Sequence, residues 1–423
     1  MSTSDAHTTA GPSDLSPGPA VDSAPDSGAR SVLVTLCVTV TIAYGVLYYA
    51  FTVLAPEIAR DTGWSLTAVT AAFSCGSLFG ALGGILAGRT MQRRGPRTVM
   101  TAGSILGAVA VTVIASAPNL PVFVAGWLLA GAASAGTFYP PAFAALTQWY
   151  GTQRVQAITA LTLVAGFSST VFAPLTALLG EQLGWRNTYV VLALVLLVGT
   201  APAHALVLRR PWQPVAVGER GLVLSDRRVL ASRTFVLLAL SGALTSLVMY
   251  ASVVHLVPLL LERGMGVQLA AWALGLSGAG QVLGRLLYPT LARRLAPNPR
   301  AALVIATLSV AVVAVAVVPA PVAVLIAIAV IAGAARGLFT LVGATVISDH
   351  WGPERYASLN GVYNAPLGVA AALAPALGAA VAAWTGSYAI LFVLLGALGL
   401  IAATVAMLAG ETSRPRWLDV AGH

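Results

Sequence analysis

The sequence predicts an all-α membrane protein with twelve transmembrane helices in two pseudo-symmetric six-helix bundles. Composition is the first reason: 58% of the 423 residues are hydrophobic and 9% are charged, whereas about a quarter of the residues in a soluble domain are charged. The second reason is a series of twelve apolar runs, each near the roughly 20 residues that cross a bilayer. The third is an internal repeat that pairs the first six runs with the last six.

The repeat has a nearly constant offset along the chain. Gly136 and Phe138 recur 201 positions later as Gly337 and Phe339. Other pairs at offsets of 200 or 201 are Gly80/Gly280, Gly84/Gly284, Gly151/Gly352, Arg154/Arg355 and Pro174/Pro375. One helical unit has therefore been duplicated, and repeats of this size in a membrane protein place a binding site between the copies.

The elements follow in a simple order. Residues 1–29 are rich in Ser, Asp, Pro and Gly and contain no apolar run, so we expect a disordered tail. The first bundle covers 30–208, a polar linker 209–232, the second bundle 233–410, and a short polar tail 411–423. The predicted spans are 31–57, 65–88, 98–117, 121–147, 156–180, 187–208, 234–261, 268–291, 300–318, 321–348, 356–382 and 387–409.

Arginine placement predicts the orientation. All 23 basic residues are arginine, and positively charged loops stay on the cytoplasmic side of a membrane. With the amino terminus inside, eighteen arginines lie in cytoplasmic segments, and only Arg60, Arg186 and Arg263 lie on the other side. We therefore expect a multi-pass protein of the bacterial inner membrane with both termini and the linker in the cytoplasm. The two remaining arginines, Arg285 and Arg336, fall inside predicted spans.

A glycine pattern predicts close helix packing. Gly76, Gly80, Gly84 and Gly88 stand at every fourth residue of the second span. Small residues at this spacing let another helix backbone approach closely. The eighth span carries the same feature more weakly, at the repeat positions of Gly80 and Gly84.

Soluble catalytic chemistry is not indicated. The chain contains no lysine, hence no Walker-type phosphate loop, and it shows no Cys/His spacing suited to a metal. Its two cysteines, Cys37 and Cys75, fall inside apolar runs and are expected to be small core residues. We therefore expect no enzyme activity, no cofactor, no metal and no nucleic-acid partner, but a monomer in a lipid bilayer.

Twelve spans in two equivalent halves, joined by a charged loop, resemble the major facilitator superfamily of transporters. The sharper signature lies in the loop after the second span, where the family carries Gly, a variable stretch, Asp-Arg, one residue, Gly and basic residues. The matching residues are Gly88, Arg93, Arg94, Gly95 and Arg97, and Gln92 stands at the position of the acid. The resemblance implies that this loop latches the two halves in one conformation, and that loss of the acid softens or rearranges the latch.

Within the superfamily, the chain looks most like the monocarboxylate and oxalate transporters. The points of contact are Tyr44-Gly45, the run Phe138-Tyr139-Pro140-Pro141, and Gln281 followed by Arg285. Two residues depart from the branch: Tyr48 lies near the position of a lysine that animal members carry, and Gln281 replaces an aspartate. The resemblance implies an organic-anion substrate whose carboxylate contacts Arg285.

Arg285 is the first candidate for substrate binding. A charged residue at the centre of a membrane helix costs about 2.5 kcal/mol or more, so it normally faces a watery cavity or a partner. A planar guanidinium can also bind a carboxylate through two parallel hydrogen bonds. The alternative is a structural arginine that caps carbonyls at a helix break.

Arg336 is the second candidate, near the midpoint of the tenth span. Its repeat partner is Ala135, so the shared helical scaffold does not demand the charge. The alternative is a contact inside the second bundle, for example with Asp349. No Asp or Glu lies deep in a predicted span, and a cavity with two positive charges and no buried negative charge attracts anions.

Further donors lie at positions that can face the cavity or bond between helices: Tyr44, Tyr48, Tyr139 and Asn364. A helix break is expected at Asn364, because a proline follows two residues later. His255 in the seventh span is a candidate for proton coupling, since small changes of surroundings move a histidine pKa across physiological pH. The alternative for His255 is a packing residue.

These observations predict a secondary transporter in which two bundles rock about a midplane site. The expected substrate is a small organic anion, a monocarboxylate or dicarboxylate, moved by proton symport or anion exchange. An efflux pump for neutral or anionic hydrophobic compounds is the same-fold alternative. A non-transporting membrane receptor is an alternative of another class.

Overall fold

The computed structural model describes residues 27–212, 224–352 and 355–410. The predicted tail up to residue 26, the middle of the predicted linker and the tail 411–423 lie outside the described residues. Every regular element within the described residues is a helix. Helices suit a bilayer because they satisfy all their backbone hydrogen bonds internally.

The first six spans are built from helices that are partly fused. Span 1 consists of Ser27–Tyr44, the π-helical turn Gly45–Tyr49 and Ala50–Thr62. Spans 2 and 3 share the helix Leu66–Ser116. Span 4 consists of Leu120–Thr137 and Tyr139–Tyr150. Span 5 consists of the 3-10 turn Gly151–Gln153, Arg154–Ala165 and the first part of Ser168–Val207, and span 6 is the rest of that helix after a kink at Gly184.

The second six spans follow a short helix, Leu224–Leu230. Span 7 consists of Arg233–Val254 and Leu256–Glu262, and the remaining spans are Val267–Arg294, Pro297–Val317, Val322–Trp351, Tyr356–Thr385 and Tyr388–Leu408. Hydroxyl and amide caps mark several starts: Ser65, Asn119, Ser232 and Ser387 each accept a hydrogen bond from a backbone N–H of the following turn.

Ten helical stretches of the described residues are long and apolar enough to cross a membrane. One of them, residues 154–207, runs through the kink at Gly184 and holds two predicted spans. Span 8 is absent from the ten although it forms one helix, Val267–Arg294, because Gln268, Gln281 and Arg285 make it less apolar. The twelve predicted spans are all present as helices within the described chain.

The predicted repeat is visible in the backbone. Gly151 and Gly352 both have positive φ, 51° and 82°, where spans 4 and 10 end. A residue with a Cβ rarely adopts this conformation, whereas glycine adopts it at little cost. The same turn is therefore needed at the same place in both bundles, which explains why these two glycines recur.

Glycines also set the closest helix contacts, span 2 against span 4 and span 8 against span 10. A Cβ on Gly80 would lie 2.5 Å from the Gly131 carbonyl oxygen, and one on Gly284 would lie 2.0 Å from that of Ala334. The predicted close packing is thus confirmed for Gly80 and Gly284. It is wrong for Gly84 and Gly88, where an added Cβ meets no atom within 4 Å.

Two acids stabilise helix starts at the end of the molecule away from loop 88–97. The Glu57 carboxylate accepts a hydrogen bond from the Trp185 backbone N–H at 3.1 Å. Glu262 accepts from the Ser387 hydroxyl at 2.7 Å and from the Tyr388 N–H at 2.6 Å. Each acid fastens the first span of its bundle to the last, and neither reaches the centre of the molecule.

Two local predictions are wrong. Span 11 is one continuous helix through Pro366, so the expected break at Asn364 does not form. The loop after span 2 is helical as well, except at Gly95, whose φ is 77°. Proline at 366 costs the helix a hydrogen bond, but the flanking turns hold it together, as occurs in membrane helices.

Candidate functional site

A cavity of about 680 Å³ lies between the two bundles. Both bundles line it, with spans 1 to 5 of the first bundle and spans 7, 8, 10 and 11 of the second. At one end it reaches Gly88, Met91 and Gln92 of the loop after span 2, and Trp212 of the linker. We call this the arginine-rich end, since Arg93 and Arg94 lie there with the repeat-related Arg293 and Arg294. The cavity occupies the place where the repeat predicts a binding site.

The opposite end of the seam is closed by hydroxyl groups. The Ser74 hydroxyl accepts a hydrogen bond from the Ala376 backbone N–H at 3.0 Å, which joins span 2 to span 11. The Thr170 hydroxyl donates to the Gly275 carbonyl at 2.7 Å, which joins span 5 to span 8. Thr67 donates to the Ala379 carbonyl at 3.4 Å. Among the described residues, the cavity thus reaches the arginine-rich end, while contacts between the bundles close the opposite end.

Arg285 lines the cavity and is 7% exposed. Its Nη1 donates a hydrogen bond to the Thr162 carbonyl, in the last turn of span 5 before that helix is interrupted. Tyr139 lines the same cavity. Arg285 therefore has the features of both hypotheses from the sequence: it bonds a carbonyl near a helix break, as a structural arginine would, and it lines the cavity, as a substrate-binding arginine would.

Arg336 lines the same cavity, is also 7% exposed, and donates from Nη2 to the Ser277 hydroxyl at 2.8 Å. The alternative partner, Asp349, is not available to it, since that carboxylate pairs with Arg300. The close packing of spans 8 and 10 puts both arginines on one wall. Gln281 lies on that wall too, one helical turn before Arg285.

Neither guanidinium is neutralised. No carboxylate of the described residues lies within ion-pair distance of Arg285 or Arg336. The Nε of each arginine is buried and has no hydrogen-bond partner among those residues, and the same holds for the Tyr48 hydroxyl. Buried donors without partners are costly, and a group with several acceptor oxygens would satisfy them.

Aromatic rings form a further part of the cavity wall. Tyr44 stacks on Phe138 with ring centroids 3.9 Å apart and lies 4.9 Å from Tyr139. Tyr48 packs edge-on against Phe73 at 5.5 Å. Of the predicted binding residues, the structure brings Arg285, Arg336, Gln281, Tyr44, Tyr48 and Tyr139 to one cavity.

Three residues of the site escaped the sequence analysis. Tyr49 and Tyr250 line the cavity, and Ser277 orients Arg336. The two tyrosines lie 201 positions apart, the offset of the repeat, so a complete search for repeated residues would have found them. A serine in an apolar helix carries no comparable signal.

Two predicted residues lie outside the residues that line the cavity. Asn364 is exposed and bonds Asn360 of its own helix, one turn before the lining residue Gly368. His255 is 1% exposed, and its Nε2 lies 2.9 Å from the Pro375 carbonyl oxygen. His255 thus forms a packing contact between spans 7 and 11.

The predicted latch loop contacts its own half of the molecule. The Gln92 carbonyl accepts a hydrogen bond from Trp212 Nε1 at 3.1 Å, and the Trp212 side chain packs against Gly95. Arg97 donates from Nε to the Ala205 carbonyl at 2.9 Å. In the described part of the chain, no carboxylate pairs with Arg93 or Arg94. Among the described residues, the hydrogen bonds of the loop therefore do not bridge the two bundles.

Fold and site together define a membrane transporter built on two six-helix repeats of the same orientation around a central cavity. The chain matches the family model of the Major Facilitator Superfamily over residues 36–331 and 300–421. It belongs to this superfamily, whose members named below are transporters and not enzymes.

The similar proteins confirm the resemblance to monocarboxylate transporters. Monocarboxylate transporter 11 of Homo sapiens is 29% identical over 296 residues, which cover 67% of this chain and 61% of that protein. Monocarboxylate transporter 13 of Rattus norvegicus is 25% identical over 361 residues, which cover 84% of this chain and 81% of that protein. The match to the human relative spans about three fifths of its length.

Solved structures confirm the fold. A bacterial homologue of the human lysosomal transporter Spinster, in an inward-facing and unoccupied conformation, superimposes with a TM-score of 0.71 at 18% identity and covers 91% of this chain and 98% of that chain. A mutant of the nucleoside transporter NupG has a TM-score of 0.69 at 16% identity, with coverage of 90% and 100%.

Proposed function

We propose that this protein is a secondary active transporter that moves an organic carboxylate across a bacterial inner membrane, with its termini and arginine-rich end in the cytoplasm. The unneutralised pair of arginines on the cavity wall carries the proposal. Substrate carboxylate oxygens would accept hydrogen bonds from Arg285 and Arg336, and the Tyr48 hydroxyl supplies a further donor.

The difference between the two ends of the cavity supports transport by alternating access. The cavity is open toward the arginine-rich end and sealed at the other by hydroxyl-to-backbone bonds between bundles. Rocking of the two repeats would reverse which end is sealed around a fixed midplane site. Proton symport or anion exchange would supply the driving force, because the chain has no nucleotide-binding loop.

The positive charge of the cavity wall favours an anionic substrate over a cationic one. Among the described residues, no aspartate or glutamate lines the cavity: Glu57 and Glu262 cap helix starts, and Asp349 pairs with Arg300. The cavity potential is therefore set by the two guanidiniums, which concentrate anions and repel cations.

Flux into proteoliposomes tests the proposal directly. Purified protein is reconstituted, and uptake of radiolabelled monocarboxylates and dicarboxylates is measured with and without a pH gradient. We expect carboxylate flux that Arg285→Gln and Arg336→Gln each reduce by about a hundredfold, as loss of a charge-assisted hydrogen bond implies. Arg228→Gln, on an exposed residue of the short helix before span 7, is the matched control.

The outcomes separate the alternatives. A receptor would bind carboxylates without flux. A pump for neutral compounds would transport those compounds equally well in the wild type and in the three arginine variants. Equal carboxylate flux in the wild type and both cavity variants would refute the assignment of the arginines.

A further inference from the structure

The lining of the cavity is chemically uneven. Spans 8 and 10 supply the positive wall, with Arg285, Arg336 and Gln281. Glycine and alanine residues of spans 2 and 11 supply an apolar wall, represented by Gly84 and Gly368, and aromatic rings of spans 1 and 4 line a further part. A molecule that fits this cavity therefore carries its charge at one end and apolar surface at the other.

The apolar wall leaves real space. An added Cβ on Gly84 or Gly368 meets no atom within 4 Å. The repeat partner of Gly84 behaves oppositely, because a Cβ on Gly284 would collide with the Ala334 carbonyl oxygen at 2.0 Å. The two halves have thus diverged here: helix packing uses the glycine of span 8, whereas the glycine of span 2 widens the cavity.

The positive wall fixes the direction in which a ligand would lie. Arg285 and Arg336 are each more than nine-tenths buried, line the cavity, and have an Nε without a partner among the described residues. A carboxylate bound there leaves the remainder of its molecule facing the glycine and alanine wall.

Cavity size decides how large that remainder is. The volume of about 680 Å³ falls within the range of roughly 300–1,000 Å³ found for pockets that hold drug-sized ligands. An acid of two or three carbons would leave the small-residue wall uncovered. Apolar surface removed from water favours binding in proportion to its area, so a larger apolar body binds better.

We propose that the transported carboxylates carry a bulky apolar body, of the arylalkyl or medium-chain alkyl class, which lies against Gly84 and Gly368. This inference rests on the proposed carboxylate transport and names its substrate class. Dicarboxylates are disfavoured, because their second charge would face the apolar wall without a partner.

Filling the wall tests this substrate class. Binding and flux of 4-phenylbutyrate, octanoate and pyruvate are compared in the wild type, Gly84→Leu and Gly368→Leu. We expect the wild type to prefer 4-phenylbutyrate and octanoate over pyruvate by about tenfold or more. Each variant should lose that preference by about tenfold, because the leucine side chain fills the space that the apolar body would occupy. Gly361→Leu is the control, since Gly361 also has open space around it but does not line the cavity.

The result that overturns this inference differs from the one that overturns the function. Equal wild-type affinity for pyruvate and 4-phenylbutyrate, or equal loss of both in Gly84→Leu, would show that the wall does not select the substrate while carboxylate transport stands. Absence of flux for all three acids in folded wild-type protein would remove both proposals.

Discussion

Arg336 of span 10 donates a hydrogen bond from Nη2 to the Ser277 hydroxyl of span 8 over 2.8 Å. The Ser277 hydroxyl in turn donates to the Leu274 carbonyl at 2.7 Å, so its oxygen presents a lone pair to the guanidinium. Close packing makes the contact possible, because Gly333 lets the two backbones meet beside Ser277. A small residue thus orients a buried charge toward the cavity.

Replacement of Ser277 tests this orientation. In Ser277→Ala, the Arg336 guanidinium loses its hydrogen bond from Nη2 to the serine hydroxyl, and we expect carboxylate affinity to fall by about tenfold, which corresponds to about 1.4 kcal/mol. Titration calorimetry measures the dissociation constant. Ser348→Ala is the control, since Ser348 makes the same kind of bond to the Thr345 carbonyl outside the cavity. Unchanged affinity in Ser277→Ala would show that carboxylate binding does not depend on the hydrogen bond between Ser277 and Arg336.

A glycine pair related by the repeat provides a stability test. Gly284→Ala places a Cβ 2.0 Å from the Ala334 carbonyl oxygen, whereas Gly84→Ala meets no atom within 4 Å. Because backbone must move in the first case, we expect Gly284→Ala to lower stability by about 1–3 kcal/mol. Thermal unfolding in detergent measures both variants, and Gly84→Ala should match the wild type. Equal melting temperatures for the two variants would contradict this account of span packing.

These glycines show what the sequence can and cannot reveal. The repeat and the apolar runs predicted twelve helices in two bundles, because hydrophobicity and span length depend on composition alone. Gly84 and Gly284 look equivalent in that pattern, yet one faces open space and the other a backbone. The difference arises from how closely span 2 packs on span 4 and span 8 on span 10 within each bundle, a tertiary property that no local pattern encodes.

The sequence likewise reveals some of the cavity residues and not others. Arg285 and Arg336 could be found because a charge in a membrane helix is expensive and therefore conspicuous. Their hydrogen-bond partners, Ser277 and the Thr162 carbonyl, could not be predicted from the sequence. The hydroxyl residue is compatible with any helix face, and a backbone carbonyl has no sequence signal at all.

His255 is the sequence candidate for proton coupling, but its contacts predict a different phenotype. The ring is buried, and Nε2 bonds the Pro375 carbonyl away from the cavity. We expect His255→Gln to lower stability by about 1–3 kcal/mol, the cost of a lost buried hydrogen bond, while the pH profile of carboxylate flux stays as in the wild type. His204→Gln, at another buried histidine that bonds a carbonyl, is the comparison. A pH profile flattened only in His255→Gln would restore the coupling role.

The sealed end of the seam offers the last prediction, because its strength decides how easily the bundles exchange conformations. Ser74 and Thr170 each join one bundle to the other through a single hydroxyl-to-backbone bond. In the described residues, no ion pair reinforces them. A net hydrogen bond of about 1 kcal/mol shifts a two-state equilibrium by about fivefold, so Ser74→Ala combined with Thr170→Val should open this end about 25-fold more often.

Cysteine labelling measures that opening. In a background without Cys37 and Cys75, Ala379→Cys introduces a thiol at a position that is 2% exposed and whose carbonyl Thr67 contacts across the seam. Labelling by a membrane-impermeant maleimide should accelerate in the double variant. Thr112→Val, which removes a hydroxyl bond inside span 3, should leave the rate unchanged. Equal rates in all three proteins would mean that helix packing alone, without these hydroxyls, holds the bundles together at this end.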